Sequence, residues 1–354
     1  MKKAICLLSV LLMMLSGTVF AFAGCGMEAP REKELDTGIL FRDGWSSFCV
    51  YSDDAQMLLS VEGQVNEKDL FKFNGGFETR AYVLYDLNQE KIKNVYPVDM
   101  EALSYSAIPY KDGLIYVKYT NPEDVFEWKV LYLTENGEEQ LFSGTCETFF
   151  QLPSLTLLNE VPISLWVNTE EETSGISTMV DLEVKTIVKE DADWLINTTI
   201  TTNYDEICFA VGGDSKYAEI VVANESGIVS QVRVDGKITS YALTKDYVLC
   251  GLEDWEETGN YHLLRYDFKA DEKSNFSLQG ALYRMCGGSE NDALCVDMNY
   301  NIYSIDGDAG QMEKINGAFG FTNMPVVFRP IFNNQVICAY LKDGMYSYYL
   351  LRLE

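Results

Sequence analysis

The sequence predicts an all-β protein: a β-propeller of seven four-stranded blades, closed by pairing of an N-terminal segment with the C-terminal blade. The first observation is a repeat, in which an Asp or Asn opens a short, mostly apolar run. It occurs at "DGLIY" from Asp112, "NEVPI" from Asn159, "DEICF" from Asp205, "DYVLC" from Asp246, "NDALC" from Asn291 and "NQVIC" from Asn334. The starts lie 47, 46, 41, 45 and 43 residues apart, the period of a unit that holds several short strands around an axis. The second is composition: 22 Tyr and 18 Phe, with many Val, Ile and Thr, favour strands. The third is that no stretch after Cys25 keeps a three-four apolar spacing for more than about three turns. Only Gln56 to Phe73 would tolerate a helix.

The chain opens "MKKAICLLSVLLMMLSGTVFAFAGCGMEAP". Lys2 and Lys3 precede an apolar stretch from Ala4 to Phe22, then small residues and Cys25, the layout of an export signal. "FAGC" resembles the lipobox of bacterial lipoproteins. In that family the cysteine is acylated and the chain is cut just before it. The resemblance implies a signal peptide over 1–24, lipid on Cys25, a tether over 25–34 and a single propeller domain over 35–354. An uncleaved N-terminal helix anchor is the other reading, and both put the remainder in the extracytoplasmic cell envelope, held at a membrane.

Cutting before Cys25 removes two lysines and no acid, leaving 25 basic and 54 acidic side chains. A chain that acidic is not expected to bind nucleic acid, because phosphate contacts need the opposite sign.

Taken in order, "WSSFCV" (45–50) looks like the core strand of a first unit, separated by a longer insert from the second. Each later unit has an inner strand, such as "ALSYSAIPY" (102–110) or "MPVVFRPIF" (324–332), before the core run. After it come a third strand and a hairpin to an outer strand, as in "EWKVLYLTENGEEQL" (127–141) and "NIYSIDGDAGQMEKI" (301–315), with Asn-Gly and Asp-Gly as turn signals. The last unit ends at "YSYYLLRLE" without an outer strand. "EKELD" (32–36), before an inner strand "GILF", is expected to cover that edge.

Nine cysteines are present. Cys6 leaves with the signal and Cys25 takes lipid, so Cys49, Cys146, Cys208, Cys250, Cys286, Cys295 and Cys338 remain, an odd number with no C-x-x-C pair. Cys250, Cys295 and Cys338 occupy one position in three successive repeats. Facing sheets stand about 10 Å apart and a disulfide needs Cα atoms within roughly 7 Å, so these read as small core residues between blades.

His262 is the sole histidine, which removes HExxH and multi-histidine metal centres. G-x-S-x-G, S-x-x-K, Walker and G-x-G-x-x-G patterns are absent. Asp297 to Asp308 spaces carboxylates like a calcium loop, but Ile302 stands where the EF-hand needs glycine and Asp308 where it needs glutamate. A hairpin is the better reading, and no cofactor or metal is expected.

In a propeller the loops from core to third strand, and those between blades, emerge on one face. Here they carry Asp53, Asp54, Glu123, Asp124, Glu170, Glu171, Glu172, Asp214, Glu253, Asp254, Glu256, Glu257, Asp297 and Asp343, with Asp99, Glu101, Asp191, Asp193 and Asp235 at blade junctions. Trp128, Trp166, Trp194 and Trp255 lie in or beside them. The expected binding face centres on Trp255 with Glu253, Asp254, Glu256 and Glu257, and includes Trp128, Trp194, Asp191 and Asp193. Such a surface suits a cationic protein or peptide stacked on an indole, or a glycan.

The signal and the seven irregular units together resemble the uncharacterised propeller lipoproteins of bacterial envelopes. That resemblance implies a non-catalytic ligand- or protein-binding or scaffold module. The alternative is an exported glycan hydrolase or lyase using loop-face carboxylates. "SIDGDAGQM" lacks the glycine and tryptophan places of the Asp-box of sialidase propellers.

Overall fold

In each repeat a polar residue ends one strand, turns the chain, and lets the apolar run enter the next as an antiparallel partner. The computed structural model describes residues 32–35, 46–53, 55–63, 79–98, 106–122, 125–195, 197–203, 205–212, 218–287, 290–299, 301–314, 327–331, 335–342 and 345–352. These form seven four-stranded antiparallel sheets, the blades of a propeller. Residues 1–31, with the signal and Cys25, lie outside the described residues, as do Asp54, Asp99, Glu101, Glu123, Asp124, Asp214, Asp343 and "GILF".

Blade 1 comprises β2 (Ser46–Ser52), β3 (Gln56–Gly63), β4 (Thr79–Asp86) and β5 (Lys91–Val98). Blade 2 comprises β6 (Ala107–Tyr110), β7 (Gly113–Thr120), β8 (Phe126–Thr134) and β9 (Gly137–Cys146). Blade 3 has β10 (Ser154–Leu158), β11 (Val161–Asn168), β12 (Thr173–Val180) and β13 (Glu183–Asp191), and blade 4 β14 (Thr201–Thr202), β15 (Ile207–Val211), β16 (Ala218–Asn224) and β17 (Gly227–Val234). Blade 5 runs through β18 (Lys237–Leu243), β19 (Tyr247–Glu253), β20 (Tyr261–Asp267) and β21 (Glu272–Leu278), and blade 6 through β22 (Leu282–Gly287), β23 (Asp292–Asp297), β24 (Ile302–Asp306) and β25 (Gln311–Lys314). Blade 7 has β26 (Val327–Ile331), β27 (Gln335–Lys342) and β28 (Met345–Arg352), and its outer strand is β1 (Glu32–Leu35).

All six repeat motifs therefore lead into the second strand of a blade, as their spacing predicts. The closure also holds: β1 pairs antiparallel with β28, Glu32 opposite Leu351 and Leu35 opposite Tyr348.

Blade 1 corrects two expectations. "WSSFCV" runs into β2, the innermost strand, and the core strand is β3, within the only segment that had seemed to tolerate a helix. The turn residue of this blade is Asp53. Its Oδ1 accepts the amides of Ala55 and Gln56, both at 2.9 Å.

The buried apolar clusters sit at the seams between blades. Leu35 packs with Met57, Leu59, Ile337 and Tyr348 where blades 1 and 7 meet. Cys208 and Cys250 share the cluster between blades 4 and 5, and Cys295 lies in that between blades 5 and 6. Burial pushes the Cys146 thiol up to about 12 and those of Cys208, Cys250, Cys286 and Cys295 upward as well. They are therefore protonated core residues rather than nucleophiles. The side chain of Cys338 lies outside the described residues.

Candidate binding face

Antiparallel pairing sends the loops out alternately. Core-to-third loops and blade junctions form an upper face, and inner-to-core and third-to-outer hairpins form a lower face. Because Asp53 joins β2 to β3, it lies on the lower face, not with the acidic loops where its sequence position had put it.

Both faces carry exposed carboxylates, and the lower face also pairs several of its charges. On the lower face, Lys111 pairs with Asp181 at 2.8 Å and Lys245 with Glu290 at 3.9 Å, each across a seam, and Lys269 holds Asp246 at 2.6 Å within blade 5. Hydrogen bonding from Lys111 lowers the Asp181 pKa, and Tyr132 does the same for Asp112. Asn159 donates to Asp205 at 3.2 Å from blade 3 to blade 4. Tyr247 of blade 5 donates to Asp308 of blade 6 at 2.9 Å, with the Arg265 guanidinium 4.2 Å from the centre of its ring. Apart from the Lys269–Asp246, Tyr132–Asp112 and Arg265–Tyr247 pairs, which stay within a blade, these contacts join neighbouring blades.

On the upper face, Glu147, Glu170, Glu171, Asp191, Asp193, Glu256 and Glu257 are exposed. Six of the ten exposed large apolar side chains among the described residues are there too: Val125, Phe149, Phe150, Trp255, Tyr283 and Met298.

The β19–β20 loop holds the residues singled out by sequence, and they divide into two groups. Glu253 Oε1 accepts the Gly259 amide at 3.1 Å. Asp254 takes the Asn260 side-chain amide and lies 3.3 Å from His262 Nδ1. These two acids shape the loop, and the only histidine is a partner in that shaping. Trp255, at 48% exposure, stands out beside exposed Glu256 and Glu257.

Among the other described tryptophans, Trp128 and Trp166 are buried and depart from the expectation. Trp128 is 1% exposed, and its indole N–H donates to the Val167 carbonyl of the next blade at 3.0 Å. It packs in the core as a bridge across a seam, because a large ring near a strand end is better buried between sheets than wetted. Trp166 is buried and donates to Ser177 at 2.8 Å. Trp194 is half-buried in a single 3-10 turn (Ala192–Trp194), its ring edge-on to Phe209 at 5.6 Å, while Asp191 and Asp193 beside it are exposed.

Sequence reasoning passed over Phe149 and Phe150, which occupy a second 3-10 turn (Phe149–Gln151) between blades 2 and 3. Two adjacent aromatics in a polar junction were the available signal.

The calcium-like spacing resolves as a hairpin. Asp297 Oδ1 accepts the amides of Asn299 and Asn301 at 2.8 and 2.9 Å on the upper face. Asp306 and Asp308 belong to the lower-face turn, where Asp306 accepts the Ala309 amide at 2.8 Å. Among the described residues no group of three His, Cys, Asp or Glu could hold a metal ion, and no helix is long and apolar enough to cross a membrane.

No protein-family model matches the chain, and no curated protein matches it. Solved structures do. The β-propeller domain of the Trilobed protease from Pyrococcus furiosus has a TM-score of 0.56 at 11% identity, over 89% of this chain and 97% of that one. It is described as having an open velcro topology, whereas β1 here completes blade 7. An oligogalacturonate lyase in complex with manganese gives 0.52 at 11% identity, over 88% and 91% of the two chains. A chain of the mitotic checkpoint complex gives 0.50 at 7% identity, over 89% and 94%. At these identities the likeness extends to the fold alone: the chain is a β-propeller.

Proposed function

We propose that this protein is a lipid-anchored, extracytoplasmic binding module whose upper face docks a cationic protein segment, without catalysis. The observation that carries the reading is the contrast between the faces. Several lower-face charges pair across seams, while six of the ten exposed large apolar side chains among the described residues stand on the upper face beside exposed carboxylates. Solvent-exposed aromatics are costly unless something covers them, and interfaces are enriched in them.

The direction of β1 supports a matching orientation. β1 enters at the lower-face end of blade 7, since Glu32 lies opposite Leu351, near the end of β28. A tether from Cys25 would leave from the lower face and point the upper face away from the membrane.

The test uses the purified domain against envelope proteins and cell-wall glycans, scored for retention, salt dependence and product release. The reading expects a protein ligand released by salt and no product. Release of saccharide product would replace it with a carbohydrate-active enzyme.

A further inference from the structure

Phe150 is the most exposed large apolar side chain among the described residues, at 72%, yet its backbone is held from both sides. Gln151 Oε1 accepts the amides of Glu147 and Thr148, each at 3.2 Å, closing a capping box on the 3-10 turn. The Phe150 carbonyl accepts the Thr198 amide at 3.0 Å, which ties the turn to the junction that follows blade 3. A loop that only needed to be soluble has no use for a pinned, exposed phenylalanine. A binding loop does, because an aromatic fixed in place loses little entropy when covered.

Phe150 is the outer end of a larger cluster. Its ring stands edge-on to Phe149 at 6.2 Å. Phe149 meets Tyr119 at 5.9 Å and Phe126 at 6.5 Å, and those two are 5.7 Å apart. Val125, also exposed, precedes Phe126. The result is a continuous apolar ledge over the upper ends of β7, β8 and β9.

Carboxylates rim it. Glu127 and Glu147 are exposed and adjoin Phe126 and the turn in sequence. The Glu170 amide donates to Thr145 Oγ1 at 3.0 Å, bringing the Glu170–Glu171 loop against the end of β9. No Lys or Arg occurs between Lys129 and Lys185, so this stretch supplies no counter-charge of its own.

We propose that this ledge is the docking site for a cationic polypeptide segment, which lays an apolar side chain against Phe149 and Phe150 and sets basic side chains on Glu147 and Glu170. The inference rests on the reading that the upper face binds protein, and it moves the energetic centre of that face from Trp255 to Phe150. Charge selects the occupant. A second copy of the chain would bring the same carboxylates to the contact and be repelled. A glycan would find Phe149 and Phe150, whose rings carry no hydrogen-bonding groups, at the exposed edge of the ledge.

The test is fluorescence anisotropy with three labelled synthetic peptides of equal length, alternating lysine with leucine, lysine with serine, or glutamate with leucine. The lysine–leucine peptide should bind the wild type, and Phe150→Ser should weaken it about tenfold or more with an unchanged melting temperature. The other two peptides should bind poorly. Equal binding by Phe150→Ser, or equal binding of the lysine–serine peptide, overturns the proposal. If Phe150→Ser binds normally while Glu256→Gln/Glu257→Gln does not, this site is wrong and the wider reading stands. Failure of the wild type to bind any peptide, with a glycan bound instead, overturns both. Sedimentation covers the remaining occupant: a dimer that Phe150→Ser dissolves would make the ledge a self-association surface and overturn the proposal.

Discussion

Asp246 and Asn291 exchange hydrogen bonds across the seam between blades 5 and 6. The Asp246 amide donates to Asn291 Oδ1, and Asn291 Nδ2 donates to Asp246 Oδ2, both at 3.0 Å. Both residues open repeat motifs, so the feature that marks each core strand also links one blade to the next. Asn291→Ala should remove both bonds and leave the Asp246 amide unpaired, at a cost of about 1–3 kcal/mol. Denaturant unfolding measures it, and a loss no greater than that of an ordinary surface change would demote the exchange to a bystander.

The same carboxylate sets an acid dependence. The Lys269 ammonium, then the Asn291 amide, hold the Asp246 pKa below its ordinary value. A carboxyl depressed in the folded state stabilises fully above its unfolded pKa, near 3.9, and that contribution is lost as pH falls through the folded value. Asp246→Asn should therefore be less stable than wild type at pH 7, and the gap should close below about pH 4. Melting curves at pH 7, 5 and 3 check this; a gap that stays constant excludes ionisation as its cause.

Closure makes a larger claim on stability. Removing Arg31 to Thr37 takes away β1, exposes the edge of β28, and strips Leu35 from the cluster with Ile337 and Tyr348. An opened edge and a lost buried leucine together should lower the melting temperature of the soluble domain by about 5 °C or more. An unchanged melting curve would mean that the pairing adds nothing to the ring.

The repeat was legible because its signal is local. An Asp or Asn before an apolar run marks both a turn and a buried strand, and six of seven blades keep that order. Blade 1 broke the pattern for two physical reasons. Its core strand, "QMLLSVEG", mixes polar residues into the run, and a long insert separates β3 from β4, so the period slipped and "WSSFCV" took the wrong place. That one-strand slip carried Asp53 to the wrong face. The site was less legible than the fold. Trp128 and Trp255 have similar acidic surroundings in sequence, and only packing separates a ring that reaches the Val167 carbonyl from one that reaches solvent.

That distinction is measurable. Trp128→Ala should cost about 3–5 kcal/mol, the usual range for emptying a buried aromatic site, and it also orphans the bond to Val167. Trp255→Ala should stay within about 0.5 kcal/mol of wild type. A large loss for Trp255→Ala would mean that its ring folds back onto blade 5 in solution.

Asp292 offers the opposite pH behaviour. Burial first, then the neighbouring Asp306 and Asp308 carboxylates, raise its pKa. A carboxyl raised in the folded state destabilises above that folded value and has no effect below its unfolded one. Asp292→Asn keeps an acceptor for the Gly307 amide and loses the charge. It should melt about 1–2 °C above wild type at pH 7 and together with it near pH 3. A lower melting temperature at pH 7 would show that the charge is compensated.

Lipid attachment and orientation can be tested on one chain. Labelled fatty acid should enter the wild type and not Cys25→Ser, and equal labelling of both would end the assignment. The seven residues from Cys25 to Arg31, fully extended, reach at most about 25 Å, and they join β1 at its lower-face end. The lower face should therefore stay near the bilayer and the upper face away from it. The thiols of Cys49, Cys146, Cys208, Cys250, Cys286 and Cys295 are buried, so in a Cys338→Ser background a single surface cysteine can be labelled selectively. A fluorophore on Asp181→Cys, on the lower face, should be strongly quenched by quencher-bearing headgroups in vesicles carrying the lipidated protein. The same fluorophore on Glu256→Cys, on the upper face, should be quenched much less. Stronger quenching at Glu256→Cys would turn the binding face toward the membrane and make the bilayer, rather than a cationic protein, its neighbour.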